Sequence, residues 1–481
     1  MHTRRILAGL LAGSMVLTAP VSAETLKEAL VRTYNDNPSL AAARAQLRAT
    51  DENVVIQRAS GLPDARANAS YSELLVQSTP SLVSPDRALS GGVDLNVPIY
   101  QGGAVRNGIL AAENRVQAGR ADLRGTESFI FSQVVAAYMD VILNEALVAL
   151  SANNVDVLDI NLQATSDRFE IGDLTRTDVA QSQSRLALAQ GRLQNAEANL
   201  IGAREQYLEL TGAPPIDLQP PPPLPGLPAS PDEAVDIALE NNPDLIAARE
   251  NAEAAGYDVN VAGSGRLPRV SVFAGTDYQN FLGSRPSGDN SGTDVTAGVT
   301  LSVPLFQGGR PAAQQRQASA FERAALENVI ATERSVIAQV RAAYSSWRAA
   351  NAVITSSETA VDAAELSLEG VRAENTVGNR TILDILDAQQ ELLNAQVQLV
   401  TARRNAYVAG FSLLAAMGRA EARDLGLESA GPLYDPVDNY DRVRDIIWDW
   451  QQDPDPVATS SRTVDIPAQD GDISGSVSAG N

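Results

Sequence analysis

Val97-Pro98-Ile99-Tyr100-Gln101-Gly102-Gly103 returns 206 residues later as Val303-Pro304-Leu305-Phe306-Gln307-Gly308-Gly309. Outward from this pair the repetition continues. Asn37-Pro38 matches Asn242-Pro243, Ala43-Arg44 matches Ala248-Arg249, and Leu62-Pro63 matches Leu267-Pro268, each at an offset of 205. On the other side Ala137-Tyr138 matches Ala343-Tyr344, Gly172 matches Gly378, Asp178 matches Asp384, and Gly212 matches Gly418, each at 206. A single net insertion across the whole repeat means that one unit was duplicated, and the two copies are expected to be related by an approximate symmetry axis. The period is far too long for a solenoid.

Upstream of each junction the chain alternates with period two. Ala65, Ala67, Ala69 and Tyr71 interleave with Arg66, Asn68, Ser70 and Ser72; Val93, Leu95, Val97 and Ile99 interleave with Gly92, Asp94, Asn96 and Pro98. In the second copy Val270, Val272, Ala274, Thr276 and Tyr278 stand against polar neighbours, with Phe273 as the exception, and Val295 to Leu305 repeats the pattern. Such runs of about 8–12 residues suit a tilted membrane strand, which needs about 9–11, and one apolar and one charged face suit a barrel wall between lipid and water. A half-buried soluble sheet has the same alternation. The long polar connectors 77–89 and 281–293 favour the barrel. Four strands cannot close, since the smallest bacterial membrane barrels have about 8, and an open edge in lipid strands backbone polar groups. Closure then needs several chains: three would make twelve strands, two would make eight.

Downstream of each junction the pattern is helical. Pro63 and Pro268 end the first helices, Gly102-Gly103 and Gly308-Gly309 join strand to long helix, and Gly172 and Gly378 turn the chain at the helix tips. The expected helices are 25–58, 104–171 and 178–211 in the first copy, and 231–264, 310–377 and 384–417 in the second. At 1.5 Å per residue the long ones reach about 100 Å and the short ones about half that, so two short helices end to end match one long one. Such lengths demand coiled-coil packing. Leu186, Leu193, Leu200 and Tyr207 step by seven, as do Ala189, Ala196, Ala203 and Leu210; Leu392, Leu399, Ala406 and Leu413, with Ala395, Ala402, Ala409 and Ala416, do the same in the second copy. The fold class is mainly α, with a β part of four strands per chain. A strict period of seven implies left-handed supercoiling, and the heptads taken alone favour an ordinary two-stranded coiled coil.

The first 23 residues read as a secretory leader: Arg4 and Arg5, a short apolar run from Ile6 to Leu17, and Val21-Ser22-Ala23 as the cleavage site. No later apolar stretch is expected to span a membrane, because polar and charged residues interrupt each one. Cysteine is absent and His2 is the only histidine, which removes thiol chemistry, histidine triads and His- or Cys-based metal sites. Gly263-Ser264-Gly265 fits no nucleotide fingerprint, so no cofactor and no enzyme activity are expected. The whole chain carries 37 basic and 59 acidic side chains, net −22, and losing Arg4 and Arg5 takes it to −24. That charge opposes nucleic-acid binding and suits an extracytoplasmic surface.

Taken together, the duplication, the Asn-Pro pairs, the Val-Pro-(Ile/Leu)-(Tyr/Phe)-Gln-Gly-Gly junctions and Gly378-Asn379-Arg380-Thr381-Ile382-Leu383-Asp384-Ile385-Leu386-Asp387-Ala388 resemble the TolC family of bacterial outer-membrane channels over roughly residues 25–420. The resemblance implies a homotrimer in which a twelve-stranded barrel sits in outer-membrane lipid. Beneath it an α-helical tunnel crosses the periplasm to a periplasmic adaptor and an inner-membrane ABC or RND pump. It implies export of proteins or small toxic molecules. Lacking the N-terminal lipidated cysteine of many drug-efflux relatives, the chain is more similar to members serving type I secretion. The rival reading is a periplasmic adaptor or another structural coiled-coil protein, although adaptors usually have one hairpin with flanking β domains.

The expected sites are a filter and a gate. Asp384 and Asp387 lie on one face at the start of a helix, where Thr381-x-x-Asp384 also fits a capping box and acids complement the helix dipole. If this tip faces a trimer axis, each Asp forms a ring of three carboxylates favouring cations; the matching family positions line the periplasmic entrance in this way. The first copy has Thr177-Asp178 at the equivalent turn, with Gln181 replacing the second acid. By resemblance Arg380 bonds Thr177 and Asp178 across neighbouring coils as a latch, with Asn375 standing where close relatives have tyrosine. Such pairs are otherwise solvated surface contacts. The expected organisation is a leader 1–23, a first repeat 24–211, a proline-rich linker 212–230, a second repeat 231–418, a waist segment 419–450 rich in aromatics and acids, and an acidic tail 451–481 without order.

Overall fold

The computed structural model describes residues 23–76, 85–284 and 288–471. Nearly all of the expected leader, the tips of both strand connectors and the last ten residues of the tail lie outside the described residues. The first copy runs α1 (Leu26–Asp36), α2 (Pro38–Ala59), β1 (Asp64–Glu73), β2 (Arg87–Gln101), α3 (Ala104–Glu170) and α4 (Arg176–Thr211). The second repeats the order as α5 (Pro231–Asn241), α6 (Pro243–Gly263), β3 (Arg269–Asn280), β4 (Ser291–Ser302), α7 (Arg310–Thr376) and α8 (Ile382–Ala416), and α9 (Asp438–Val443) follows.

Each copy opens with two helices where one was expected, over 25–58 and 231–264. The break falls at the Asn-Pro pair. Proline supplies no N–H and disfavours a helical residue before it, yet fits the first helical position. Asn37 caps α2 by accepting from the N–H groups of Ser39 and Leu40, and its Nδ2 donates to the Leu210 carbonyl at 3.0 Å. Asn242 accepts from Leu245 N–H and donates to the Ala416 carbonyl at 3.0 Å. The same residue thus starts a short helix and ties it to the end of the helix below, once per copy.

The helices form a single layer. In the half nearer the sheet the neighbours run α2, α3, α6, α7; in the far half they run α4, α3, α8, α7. The two 67-residue helices span the whole length, about 100 Å at 1.5 Å per residue, while α2 with α4 and α6 with α8 divide it. The heptad seam of the first copy is buried at Leu186, Ala189, Ala196, Leu200, Ala203 and Tyr207. In the second, Ala395, Ala402, Ala406 and Leu413 are buried, but Leu392 and Leu399 are only half-buried. The thickest core is midway along the wall, where Phe131, Val135, Tyr138, Leu200, Tyr207, Leu245, Phe411, Leu413 and Met417 meet.

Contrary to expectation, α3 is long and apolar enough by composition to cross a bilayer. Its apolar stretch, around Val134 to Ser151, instead supplies this core: Val134, Val135, Ala137, Tyr138, Met139, Val141 and Val148 are buried. The two acids in the stretch are paired within the wall, Asp140 with Arg404 at 2.7 Å and Glu145 with Arg204 at 3.0 Å.

The four strands make one antiparallel sheet in the order β1-β2-β3-β4. Register sorts the side chains by face, because neighbours in a ladder share a face. Ala67, Val93, Thr276 and Val295 form one row, and Ala65, Leu95, Ala274 and Ala297 the next on the same side. The other face carries Asn68, Gly92, Asp277 and Asp294. Phe273, the exception to the alternation, sits on this polar face opposite Gly298, where a Cβ would meet its ring at 2.9 Å. A bulge at Ile99 shifts β2 by one residue near its end, and β4 stops at Ser302, short of the alternation that runs on to Leu305.

The sheet packs on nothing else in the described chain. All of β1 is exposed, and on β4 Val295, Val299 and Leu301 are 79%, 68% and 63% exposed. The described chain by itself does not bury either face of this sheet. The outer edges of β1 and β4 have no ladder partner among the described residues.

Residues past α8 return to the middle of the wall. There a cavity of about 370 Å³ is lined by Tyr34, Arg120, Arg124, Glu127, Glu421, Asp424 and Tyr434 among others. Glu127 accepts from the Ala422 N–H and Arg124 pairs with Glu421. Burial foremost, with the nearby Glu421 and Asp424 charges, pushes the Glu127 carboxyl up to about 7 against the pull of the Ala422 N–H and Arg44. The Arg44 guanidinium lies over the rings of Tyr34 and Tyr434, 4.3 and 5.2 Å from their centroids. The acidic segment 451–471, expected to lack order, is non-helical chain that doubles back along α4, where Gln469 N–H donates to Glu205 and Arg204 donates to Asp470 at 2.9 and 3.1 Å.

Candidate functional site

The site follows from the way each long helix turns at the end far from the sheet. Gly172 and Gly378 have φ of +77° and +83°, a left-handed geometry that side-chain-bearing residues seldom take. Asp173 N–H reaches the Arg168 carbonyl and Asn379 N–H the Glu374 carbonyl, closing a wide loop in each copy that ends the helix. Two residues on, Thr175 and Thr381 restart it as N-caps. Thr381 N–H and Oγ1 donate to the Asp384 carboxylate at 2.8 and 2.7 Å, and Asp384 N–H donates back to Thr381 Oγ1 at 3.3 Å. Thr175 and Asp178 make the same reciprocal box. The threonine hydroxyl bond foremost, then its N–H, holds both carboxyls below the usual range, with Arg380 adding to the effect at Asp384.

The expected residues come together only in part. Asp384 and Asp387 share the exposed first turns of α8. Arg380 Nε donates to Glu374 at 2.7 Å and its Nη1 lies 3.8 Å from Asp384. It makes no bond within this chain to Thr177 or Asp178, whose hairpin is a separate tip. The Glu374 bond, more than Asp384, raises the Arg380 pKa further. Asp387 pairs with Arg185 of α4 at 2.7 Å, and Arg192 donates to Gln390 at 2.6 Å. Asn375 Nδ2 donates to the Arg380 carbonyl at 2.7 Å, so it braces the turn that carries the arginine.

Sequence reasoning missed Glu374, Arg185 and Thr175. Glu374 was within reach: 206 residues earlier stands Arg168, which grips Asp173 with bonds of 2.9 and 2.7 Å across its own turn. Both copies staple the tip with an ion pair across the turn, with the signs reversed, and in the second copy Arg380 also pairs with Asp384. Arg185 carried no such signal, because it comes from the other copy.

At the sheet end, Gly103 and Gly309 are the left-handed N-caps of α3 and α7, with φ of +82° and +83°, and Gly102 and Gly308 precede them at +64° and +61°. A Cβ on Gly102 would meet the Ser264 carbonyl and Leu267 Cβ at 2.9 Å. Pro98 lies at the bulge and Pro304 just past β4.

A duplicated helical wall, carrying an unclosed sheet with one apolar and one charged face, is the architecture of the outer-membrane efflux channels. The family profile described as "Outer membrane efflux protein" matches residues 29–213 and 234–419, one match per copy. The outer membrane efflux protein BepC of Brucella suis is 34% identical over 440 residues, covering 91% of this chain and 94% of its own. The outer membrane protein TolC of Vibrio cholerae is 28% identical, covering 86% and 95%. The crystal structure of the outer membrane protein VceC from Vibrio cholerae superposes with a TM-score of 0.70 at 23% identity, over 82% of this chain and 96% of that one. The chain belongs to the outer membrane efflux protein family, the TolC-type channels of the Gram-negative outer membrane. The rival assignment to a periplasmic adaptor falls with this match, which spans both copies.

Proposed function

We propose that three copies of this chain close into one duct, a twelve-stranded barrel in the outer membrane continued by an α-helical tunnel. Joined to a periplasmic adaptor and an inner-membrane pump, the duct passes proteins or small toxic molecules to the exterior. The observation that carries this reading is the pair of bare sheet edges, above a helical wall whose α2–α4 flank is lined only in part by the chain after α8. β1 and β4 bare the two edges of the sheet, and the helical wall ends on the same two flanks. On one, Ile56 and Leu188 are exposed; on the other Phe321, Leu326 and Leu366 are. Two different edges that must each be covered make a head-to-tail contact, which closes into a ring when the rotation allows. Strand edges cannot remain open in hydrocarbon.

The tips then act as filter and gate. Asp384 and Asp387 form stacked carboxylate rings that favour cations. Arg380 exchanges its Glu374 contact for Thr177 and Asp178 of a neighbouring hairpin to latch the entrance, since its planar fork suits two acceptors. The low carboxyl pKa values of Asp178 and Asp384 support a permanently charged entrance.

Closure is tested with paired cysteines, one in β1 and one in β4, in a chain that has none of its own. Within one sheet these strands are about 14 Å apart, too far for a disulfide. A panel of pairs stepped along the strands should yield a covalent trimer from outer-membrane fractions. Monomer alone across the panel, or a ladder ending at another number, refutes the trimer. Loss of secreted protein or of drug tolerance in a deletion strain then identifies the cargo class.

A further inference from the structure

The segment beyond the second copy does more than cover the waist. It climbs α2 toward the sheet. Tyr434 N–H donates to Tyr34 OH at 2.8 Å, Asn439 Nδ2 donates to Asp51 at 2.7 Å, and Arg58 donates to the Arg444 carbonyl and to Asp445 at 2.9 Å. Asp51 and Arg58 are seven residues apart on α2, a rise of about 10 Å. Tyr440 packs on the way with Val54, Ala112 and Val116. The chain then reverses. Arg442 grips Asp453 with two bonds of 2.9 Å, and Ser461 is already beside Gly212 at the waist. Residues 446–450 are thus the apex of an excursion, set beside the last turn of α2 shortly before β1 begins at Asp64.

That apex is apolar and bare. Ile447, Trp448 and Trp450 are 70%, 68% and 80% exposed. Nothing in the described chain covers them, and a cluster of exposed tryptophans marks an interaction surface. The neighbouring strand–helix junctions are equally bare: Ile99, Tyr100, Leu305 and Phe306 are all exposed. Tyr100, paired with Val270, ends the apolar face of the sheet, and Leu305 and Phe306 follow just past β4; membrane barrels carry aromatic girdles at this headgroup level. Asp445 and Asp449 bracket Ile446-Ile447-Trp448, a mixture suited to the headgroup boundary and unsuited to the hydrocarbon centre.

We propose that Ile447, Trp448 and Trp450 seat in the periplasmic leaflet of the outer membrane, continuing the girdle begun by the strand–helix junctions. The occupant is lipid, because the apex sits beside the last turn of α2, a few residues before the sheet begins at Asp64, and because acids interrupt it. The first copy has no counterpart, so each protomer contributes one such anchor, fixing the height of the helical wall beneath the bilayer. This inference rests on the membrane insertion of the sheet.

Trp347, Trp448 and Trp450 are the whole tryptophan content. Trp347 packs edge-on to Tyr344, at a ring distance of 5.7 Å, far from the sheet. The full-length protein carrying Trp347→Phe is reconstituted into phosphatidylcholine vesicles with acyl chains brominated either near the headgroup or near the chain end. Emission should fall more with headgroup-proximal bromine than with the distal label, as for a girdle residue. Acrylamide should quench it poorly. A variant with all three tryptophans changed to Phe and Val299→Trp added reports insertion of the sheet. If Val299→Trp is quenched by lipid while Trp448 and Trp450 are not, the anchor is wrong and the barrel stands. In that case, acrylamide quenching assigns the apex to water and acrylamide shielding to a neighbouring protein surface. If neither site is quenched, the barrel reading fails as well.

Discussion

Changing Glu127 to Gln should make the protein less sensitive to alkali. The side chain is buried beside Glu421 and Asp424, and its carboxyl is pushed from the ordinary 4.5 up to about 7. Its pKa is raised on folding, so its contribution to stability is complete below pH 4.5 and disappears as pH rises through about 7. At about 1.4 kcal/mol per pKa unit, holding it ionised above pH 7 costs the folded state about 3 kcal/mol. Glutamine keeps a carbonyl oxygen for the Ala422 N–H and carries no charge. The variant should therefore match the wild type near pH 4.5 and gain up to about 3 kcal/mol at pH 8.5, less whatever relaxation of the cavity recovers. Chemical unfolding of the detergent-solubilised protein, followed by circular dichroism across this range, reads the difference. Equal stability of the two proteins at pH 8.5 would refute the account, since it would mean that water or an arginine compensates the buried charge.

At the tips, Asp384→Ala with Asp387→Ala should weaken cation preference and block by multivalent cations in planar bilayers; unchanged values for both remove the filter. Arg380→Ser should raise single-channel conductance, and a conductance equal to wild type counts against the latch. Tyr207 OH donates to the buried Glu24 carboxylate at 2.8 Å, so Tyr207→Phe should destabilise by about 1–3 kcal/mol in the same unfolding assay, whereas a neutral effect would mean that Arg32, which also holds Glu24, carries the contact. Leu200→Ala, in the fully buried seam of α4, should cost about 2–5 kcal/mol; a loss below 1 kcal/mol would show that the wall closes over the gap.

Whatever repeats, or depends on neighbours along the chain, can be read from the residues alone. Two copies, their junction glycines, the tips at Gly172 and Gly378 and the limits of α3, α4, α7 and α8 to within two residues were all legible, because positive φ, capping and heptad spacing are local requirements. The Asn-Pro pairs read from the sequence as helix interior, because what fixes the break there is the bond from each Asn to the distant carbonyls of Leu210 and Ala416. It takes the packed chain to show how α3 hides an apolar stretch of membrane length, what Phe273 meets on the polar side, that Asp387 meets Arg185 from the other copy, and that the chain after α8 climbs α2 and doubles back. Each of these rests on groups far apart in sequence and, in the last case, on a segment that occurs once. Pattern repeats where local backbone chemistry repeats; a contact between remote side chains leaves no periodic trace, and only the packed fold brings its two halves within reach.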